Sequence, residues 1–116
     1  MDQDPDAIAA ATARLQGLPA TVVPGNFRNA KQLLAQQGVT RLDGALLDLG
    51  VSSHQLDDRA RGFSYLGDAP LDMRMSQSGP TAADFVNTAT RSEIARVLRE
   101  YGEEPYAWQV AGKIEA

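Results

Sequence analysis

Gly44-Ala45-Leu46-Leu47-Asp48 is a continuous apolar run closed by a carboxylate. A strand with one face in water alternates apolar and polar side chains. A run without alternation belongs to a strand covered on both faces, as in parallel α/β sheets. Upstream, Ala20-Thr21-Val22-Val23 is short, apolar and β-branched and reads as a second buried strand, closed by Pro24-Gly25-Asn26. A helix precedes it over residues 5–15. Asp4 is placed to cap it, Pro5 suits its first position, and Ile8, Ala11, Thr12 and Leu15 repeat at helical spacing before Gly17 and Pro19. Between the strands, Asn29 is placed to cap a second helix with an apolar face of Ala30, Leu33 and Leu34 and with Gly38 just past its end. Helix, strand, helix, strand with short connections predicts an α/β fold with a mainly parallel sheet.

Downstream the pattern changes. Residues 51–80 are rich in Gly, Ser, Asp and Arg with no sustained period. An irregular stretch of about 30 residues is uncommon in a compact domain unless it serves a function. Helices resume at Thr81, with Asp84 three positions on, and at Thr90, where Glu93 completes a capping-box pattern. Ile94, Val97, Leu98 and Tyr101 then follow helical spacing up to Gly102, and a last helix is expected from Pro105 through Trp108, Val110 and Ile114.

Composition excludes several classes. The 116 residues carry 11 basic and 15 acidic side chains, a formal charge of −4, and the sequence pI is about 4.8. That balance argues against a broad electrostatic grip on nucleic acid. With 43 % hydrophobic residues the chain is too apolar for a disordered tail. No apolar run approaches the roughly 20 residues of a membrane span. Cysteine is absent, so disulfides, thiolate metal sites and cysteine nucleophiles are ruled out. Met1-Asp2-Gln3-Asp4 lacks the basic and apolar regions of a secretory signal, and a cytoplasmic protein is the expectation.

A few residues are placed to do chemistry. Asp2 lies where a strand would end before the first helix, the place from which a carboxylate accepts ribose hydroxyls in nucleotide-binding α/β folds; it also suits the positive end of the helix dipole. Phe27 follows the strand at 20–23, where a ring packs on a purine or simply fills a core. Asp48 closes the apolar run, at the strand end where open α/β sheets bind ligands. Ser52, Ser53 and His54 suggest a hydrolase only superficially: they are adjacent in sequence, and the nucleophile elbow is missing. They read as a polar turn into a short helix at Gln55. No His, Asp or Glu set has zinc spacing, and there is no phosphate loop. Arg59, Arg61 and Arg74, with Phe63-Ser64-Tyr65 among them, form the one basic, aromatic-flanked region, suited to stacking unpaired bases or to a solvated loop.

Four blocks resemble one family. Asp43-Gly44-Ala45-Leu46-Leu47-Asp48-Leu49-Gly50-Val51-Ser52-Ser53-His54-Gln55-Leu56-Asp57, Arg61-Gly62-Phe63-Ser64-Tyr65, Pro70-Leu71-Asp72-Met73-Arg74-Met75 and Tyr101-Gly102-Glu103-Glu104 are similar to the signature of the bacterial 16S ribosomal RNA cytosine-N4 methyltransferases. The resemblance implies a partial Rossmann-like class I methyltransferase core over residues 1–79, with the active-site loop, and the opening helices of an inserted helical subdomain over residues 80–116. It implies S-adenosylmethionine as cofactor, held by Asp2, Phe27, Asp48 and Gln55. The implied reaction is methylation of the N4 amine of cytidine 1402 of 16S ribosomal RNA in the small ribosomal subunit. Arg59, Arg61 and Arg74 are the candidate RNA contacts, and Asp48 is the candidate acceptor for the amine. His54 stands where the family more usually has proline. The family's glycine-rich loop lies upstream of the position matching Asp2, so the chain is expected to be an internal fragment of a longer enzyme. In the Rossmann order 3-2-1-4-5-6 the strand before that loop lies between strands two and four, and without it two pieces of sheet are left with nothing between them to share backbone hydrogen bonds. Two rivals remain: a nicotinamide-dependent dehydrogenase on the same architecture, told apart by the cofactor bound, and a non-catalytic truncated interaction module.

Overall fold

A computed structural model describes residues 1–115. Among the described residues the regular structure is helical: α1 Pro5–Arg14, α2 Ala30–Gln36, α3 Ser53–Asp57, α4 Ala82–Thr88, α5 Arg91–Glu100 and α6 Ala107–Glu115, with 3₁₀ turns at Phe27–Asn29 and Arg59–Arg61. Ala116, the last residue of the expected helical span, lies outside the described residues.

The expected α/β fold is corrected. No Rossmann-like sheet forms, and among the described residues none belongs to a strand. Residues 20–23 and 44–48 stay outside regular structure, and β pairing is confined to one isolated parallel bridge between Asp2 and Pro24. Its bonds run from Asp2 N–H to Val23 O (3.3 Å) and from Gly25 N–H to Asp2 O (2.7 Å). The physical reason is that a helix satisfies its backbone groups internally, whereas a strand needs a neighbouring chain to take up its N–H and C=O groups. Hydrophobicity without alternation reports a taste for burial on two faces; it supplies no neighbour. Leu46 is accordingly 95 % exposed and Leu47 60 %.

The helices follow their local signals. Asp4 caps α1, its side chain accepting from Asp6 N–H, with Pro5 in the first turn. Thr81 and Asp84 form a full capping box on α4, and Thr90 and Glu93 form another on α5. These bonds to Thr81 and to Thr90 hold the Asp84 and Glu93 carboxyls below their ordinary values. Asn29 does not cap α2 with its side chain. Asn26 does the capping a turn earlier, accepting from Arg28 N–H, because the chain already turns through Phe27–Asn29 before α2 begins. Gly38 ends α2 in the left-handed region at φ +73°, with Val39 N–H returned to Leu34 O.

Two compact units divide the chain: residues 1–55 with 75–78, and residues 56–74 with 79–115. The second contains the hydrophobic core, in which Ile94 and Ala95 of α5 pack with Ala107 and Ala111 of α6, flanked by Ala89 and Leu98. Small residues on α6 let the two helices approach closely. Arg91 ties them further: its guanidinium sits 4.2 Å from the Trp108 ring centroid and donates from Nε and Nη2 to Trp108 O. Gly112 leaves the room this requires, since a Cβ there would meet Arg91 Nη2 at 2.6 Å.

Candidate functional site

The first unit brings three turns together by side-chain hydrogen bonds. The turn at residues 2–4 is built around Asp2, whose Oδ1 accepts from Asp4 N–H at 2.9 Å. Gln3 reaches the second turn, where Asn26 Nδ2 donates to Gln3 Oε1 at 2.8 Å. The other face of Asn26 caps the turn that carries Phe27. Asp4 reaches the third turn: Gln55 Nε2 donates to Asp4 Oδ2 at 2.5 Å. Gln55 in turn organises its own segment, with Oε1 accepting from Ser52 N–H at 3.0 Å while Gln55 N–H donates to Ser52 Oγ at 3.2 Å. This is a capping box on α3.

Asp2, Phe27 and Gln55, all expected from the sequence to hold one ligand, therefore sit on turns that are hydrogen-bonded to one another. Asp2 is exposed, and its Oδ2 is left to accept from a ligand hydroxyl. Phe27 is 55 % exposed, so its ring is accessible for stacking. Gln55 differs: it is buried, with its amide spent on Asp4 and Ser52. Asp48 lies in an exposed segment, between Leu47 at 60 % and Leu49 at 62 % exposure, and is not drawn into this network. His54 Nε2 lies 3.6 Å from Asp6 Oδ2, a surface pair.

Asp4 is the residue that sequence reasoning missed in this site. It was legible as a helix cap, but no local signal announces that its second oxygen meets a residue 51 positions away. The Ser52–Gln55 box did have a signal, the Ser-x-x-Gln spacing ahead of Leu56.

The profile of the MraW methylase family matches residues 1–116. The chain belongs to that family. A relative from Deinococcus deserti, named ribosomal RNA small subunit methyltransferase H, is 54 % identical over 115 residues, covering 98 % of this chain and 38 % of the relative. Proteins of the same name from Anaeromyxobacter sp. (strain K) and Geobacter sulfurreducens are 51 % and 53 % identical, covering 100 % and 97 % of this chain but 38 % and 37 % of their own length. The chain thus spans a little over a third of the curated relatives it matches.

Methylase membership implies S-adenosylmethionine, and the donor set fits it: an exposed carboxylate with a free oxygen for ribose hydroxyls, an open aromatic ring for adenine, and both on cross-linked turns. The second unit holds the three arginines of the basic stretch, and their surroundings differ. Arg59 is exposed. Arg61 is buried, with Nη2 donating to Arg74 O at 3.1 Å. Arg74 grips Asp72 through Nε and Nη2, the shortest bond being 2.6 Å, and donates from Nη1 to Gly79 O at 2.9 Å. The Asp72 carboxyl is consequently pulled down to about 2, first by the Arg74 side chain and next by its backbone N–H. Gly62 closes this loop in the left-handed region at φ +72°, where a Cβ would collide with Pro70 O and Asp72 N. Among the described residues no helix is long and apolar enough to cross a membrane.

Proposed function

We propose that this chain is the cofactor-holding part of a longer S-adenosylmethionine-dependent methyltransferase that acts on the N4 amine of cytidine 1402 of 16S ribosomal RNA, in the small ribosomal subunit in the cytoplasm. The observation that carries the reading is the cross-linking of the turns bearing Asp2, Phe27 and Gln55 in a chain of the methylase family. Residues 1–79 supply the cofactor and active-site loops, and residues 80–116 open the helical subdomain that helps to seat the RNA.

Asp2 Oδ2 would accept from the ribose diol and Phe27 would cover the adenine, while Gln55 holds the turn at residues 52–55 in place. The cofactor supplies an electrophilic methyl group on a sulfonium sulfur. The cytosine amine is a weak nucleophile because its lone pair is delocalised into the ring. Asp48, or a backbone carbonyl of residues 49–53, accepts an amine hydrogen and localises that pair as attack develops. Positioning and exclusion of water carry the rest. Arg59, the exposed member of the basic stretch, meets RNA phosphate or base; Arg61 and Arg74 shape the loop beside it.

The test is paired. Titrating the full-length protein that carries these residues with S-adenosylmethionine in a calorimeter should show saturable binding, and labelled methyl should pass to small ribosomal subunits lacking the modification. Binding of a nicotinamide cofactor instead would move the protein to the dehydrogenase class. Absence of any adenosyl ligand would leave the interaction-module reading.

A further inference from the structure

We infer that Asp4 is a positioning residue of the adenosylmethionine site, its buried carboxylate fixing the Gln55 amide and through it the turn at residues 52–55. Asp4 is 2 % exposed and Gln55 4 %. A carboxylate taken out of water is costly unless its oxygens find donors, and here both do: Oδ1 takes Asp6 N–H at the head of α1, and Oδ2 takes Gln55 Nε2. That second bond settles which end of the amide is which. Nε2 faces the carboxylate, so Oε1 faces Ser52 N–H, and the capping box of α3 is held in one orientation.

The same residue also sets the Asp2 side chain. Asp4 N–H donates to Asp2 Oδ1, which orients that carboxylate and leaves Oδ2 for a ligand. Position 4 thus meets both the Asp2 carboxylate, through its backbone N–H, and the turn of Gln55, through its own carboxylate. The inference rests on the cofactor reading above, and its tests are arranged so that the two fail separately.

Asp4→Asn is the informative substitution. Asparagine caps a helix about as well as aspartate, so α1 keeps its N-cap while the introduced amide nitrogen confronts Gln55 Nε2, donor against donor. Gln55→Glu makes the opposite fault, carboxylate against carboxylate. The double variant D4N/Q55E restores a donor and an acceptor with the polarity exchanged: the amide introduced at position 4 donates to the carboxylate introduced at position 55. That carboxylate still accepts from Ser52 N–H. In the full-length protein each single variant should weaken S-adenosylmethionine binding by about tenfold or more in calorimetry, the usual consequence of leaving a buried polar group without its partner. The double variant should recover to within about threefold of the unsubstituted protein, a recovery of the size that double-mutant coupling yields for a direct pair. A readout without cofactor accompanies this. The Gln55 side-chain amide protons should exchange slowly with solvent in the unsubstituted protein and fast in Asp4→Asn. Equal affinity of Asp4→Asn and the unsubstituted protein overturns the inference, and so does a double variant no better than the weaker single one. A protein that binds no S-adenosylmethionine before any substitution overturns the cofactor reading itself.

Discussion

Asp72 takes the Arg74 guanidinium on both of its oxygens, and that arrangement makes a pH statement. Its carboxyl falls from 3.8 to about 2 on folding. A carboxyl whose folded value is depressed contributes stability that is fully present above the unfolded value, and that stability is lost as pH falls through the folded one. The turn around Asp72 should therefore keep its full amide protection above pH 3.8 and lose the Asp72 contribution progressively as pH falls from there toward about 2. A carbon-13 titration of Asp72 reads this directly: a midpoint near the ordinary value in the unsubstituted protein would contradict it, and Arg74→Gln should restore that ordinary value. Asp48 makes a second prediction at this scale. Asp48→Asn keeps the shape but weakens the acceptor, and in the full-length protein methyl transfer should slow by at least about tenfold. Unchanged turnover would remove Asp48 from the chemistry.

The hairpin of α5 and α6 is the element whose energetics are best defined. Ile94, 2 % exposed, packs with the buried alanines of α6, so Ile94→Ala should cost about 2–5 kcal/mol, read as a lower urea midpoint. Thr90→Ala removes one half of the capping box and should cost about 1 kcal/mol, with Thr90→Ser close to neutral. If Thr90→Ala leaves the unfolding midpoint unchanged, the box is an ornament of α5. Most helix boundaries were legible from such signals: Asp4 and Pro5 for α1, Thr81 and Asp84 for α4, Thr90 and Glu93 for α5. The start of α2 was not, since the side chains of Asn26 and Asn29 are alike and only the backbone turn at Phe27–Asn29 chooses between them. The start of α6 slipped as well. Pro105 invited it, but the helix begins at Ala107, after Glu103 enters the left-handed region at φ +52° and Glu104 Oε1 caps Tyr106 N–H.

At the scale of the whole chain, the stretch from Leu46 to Val51 is the feature with a measurable consequence. Leu46, Leu47, Leu49 and Val51 are all exposed, and exposed apolar runs of this kind bind hydrophobic dyes and associate. The 116-residue chain by itself should therefore enhance anilinonaphthalene sulfonate fluorescence, and L46K/L47K should remove most of that enhancement. A chain that leaves the dye dark would mean the stretch is covered in solution. The sequence by itself determined the caps of α1, α4 and α5 and the family, because capping boxes, helical spacing and motif order are written within a few residues of one another. Its family resemblance also marked Asp2, Phe27, Asp48 and Gln55 as candidates for one ligand. Tertiary structure alone decided that Gly44-Ala45-Leu46-Leu47-Asp48 pairs with nothing among the described residues, that Gln55 is buried, and that its amide meets Asp4. Strand pairing and the meeting of residues 51 positions apart depend on which distant backbone or side chain arrives to complete each hydrogen bond, and no local pattern encodes that arrival.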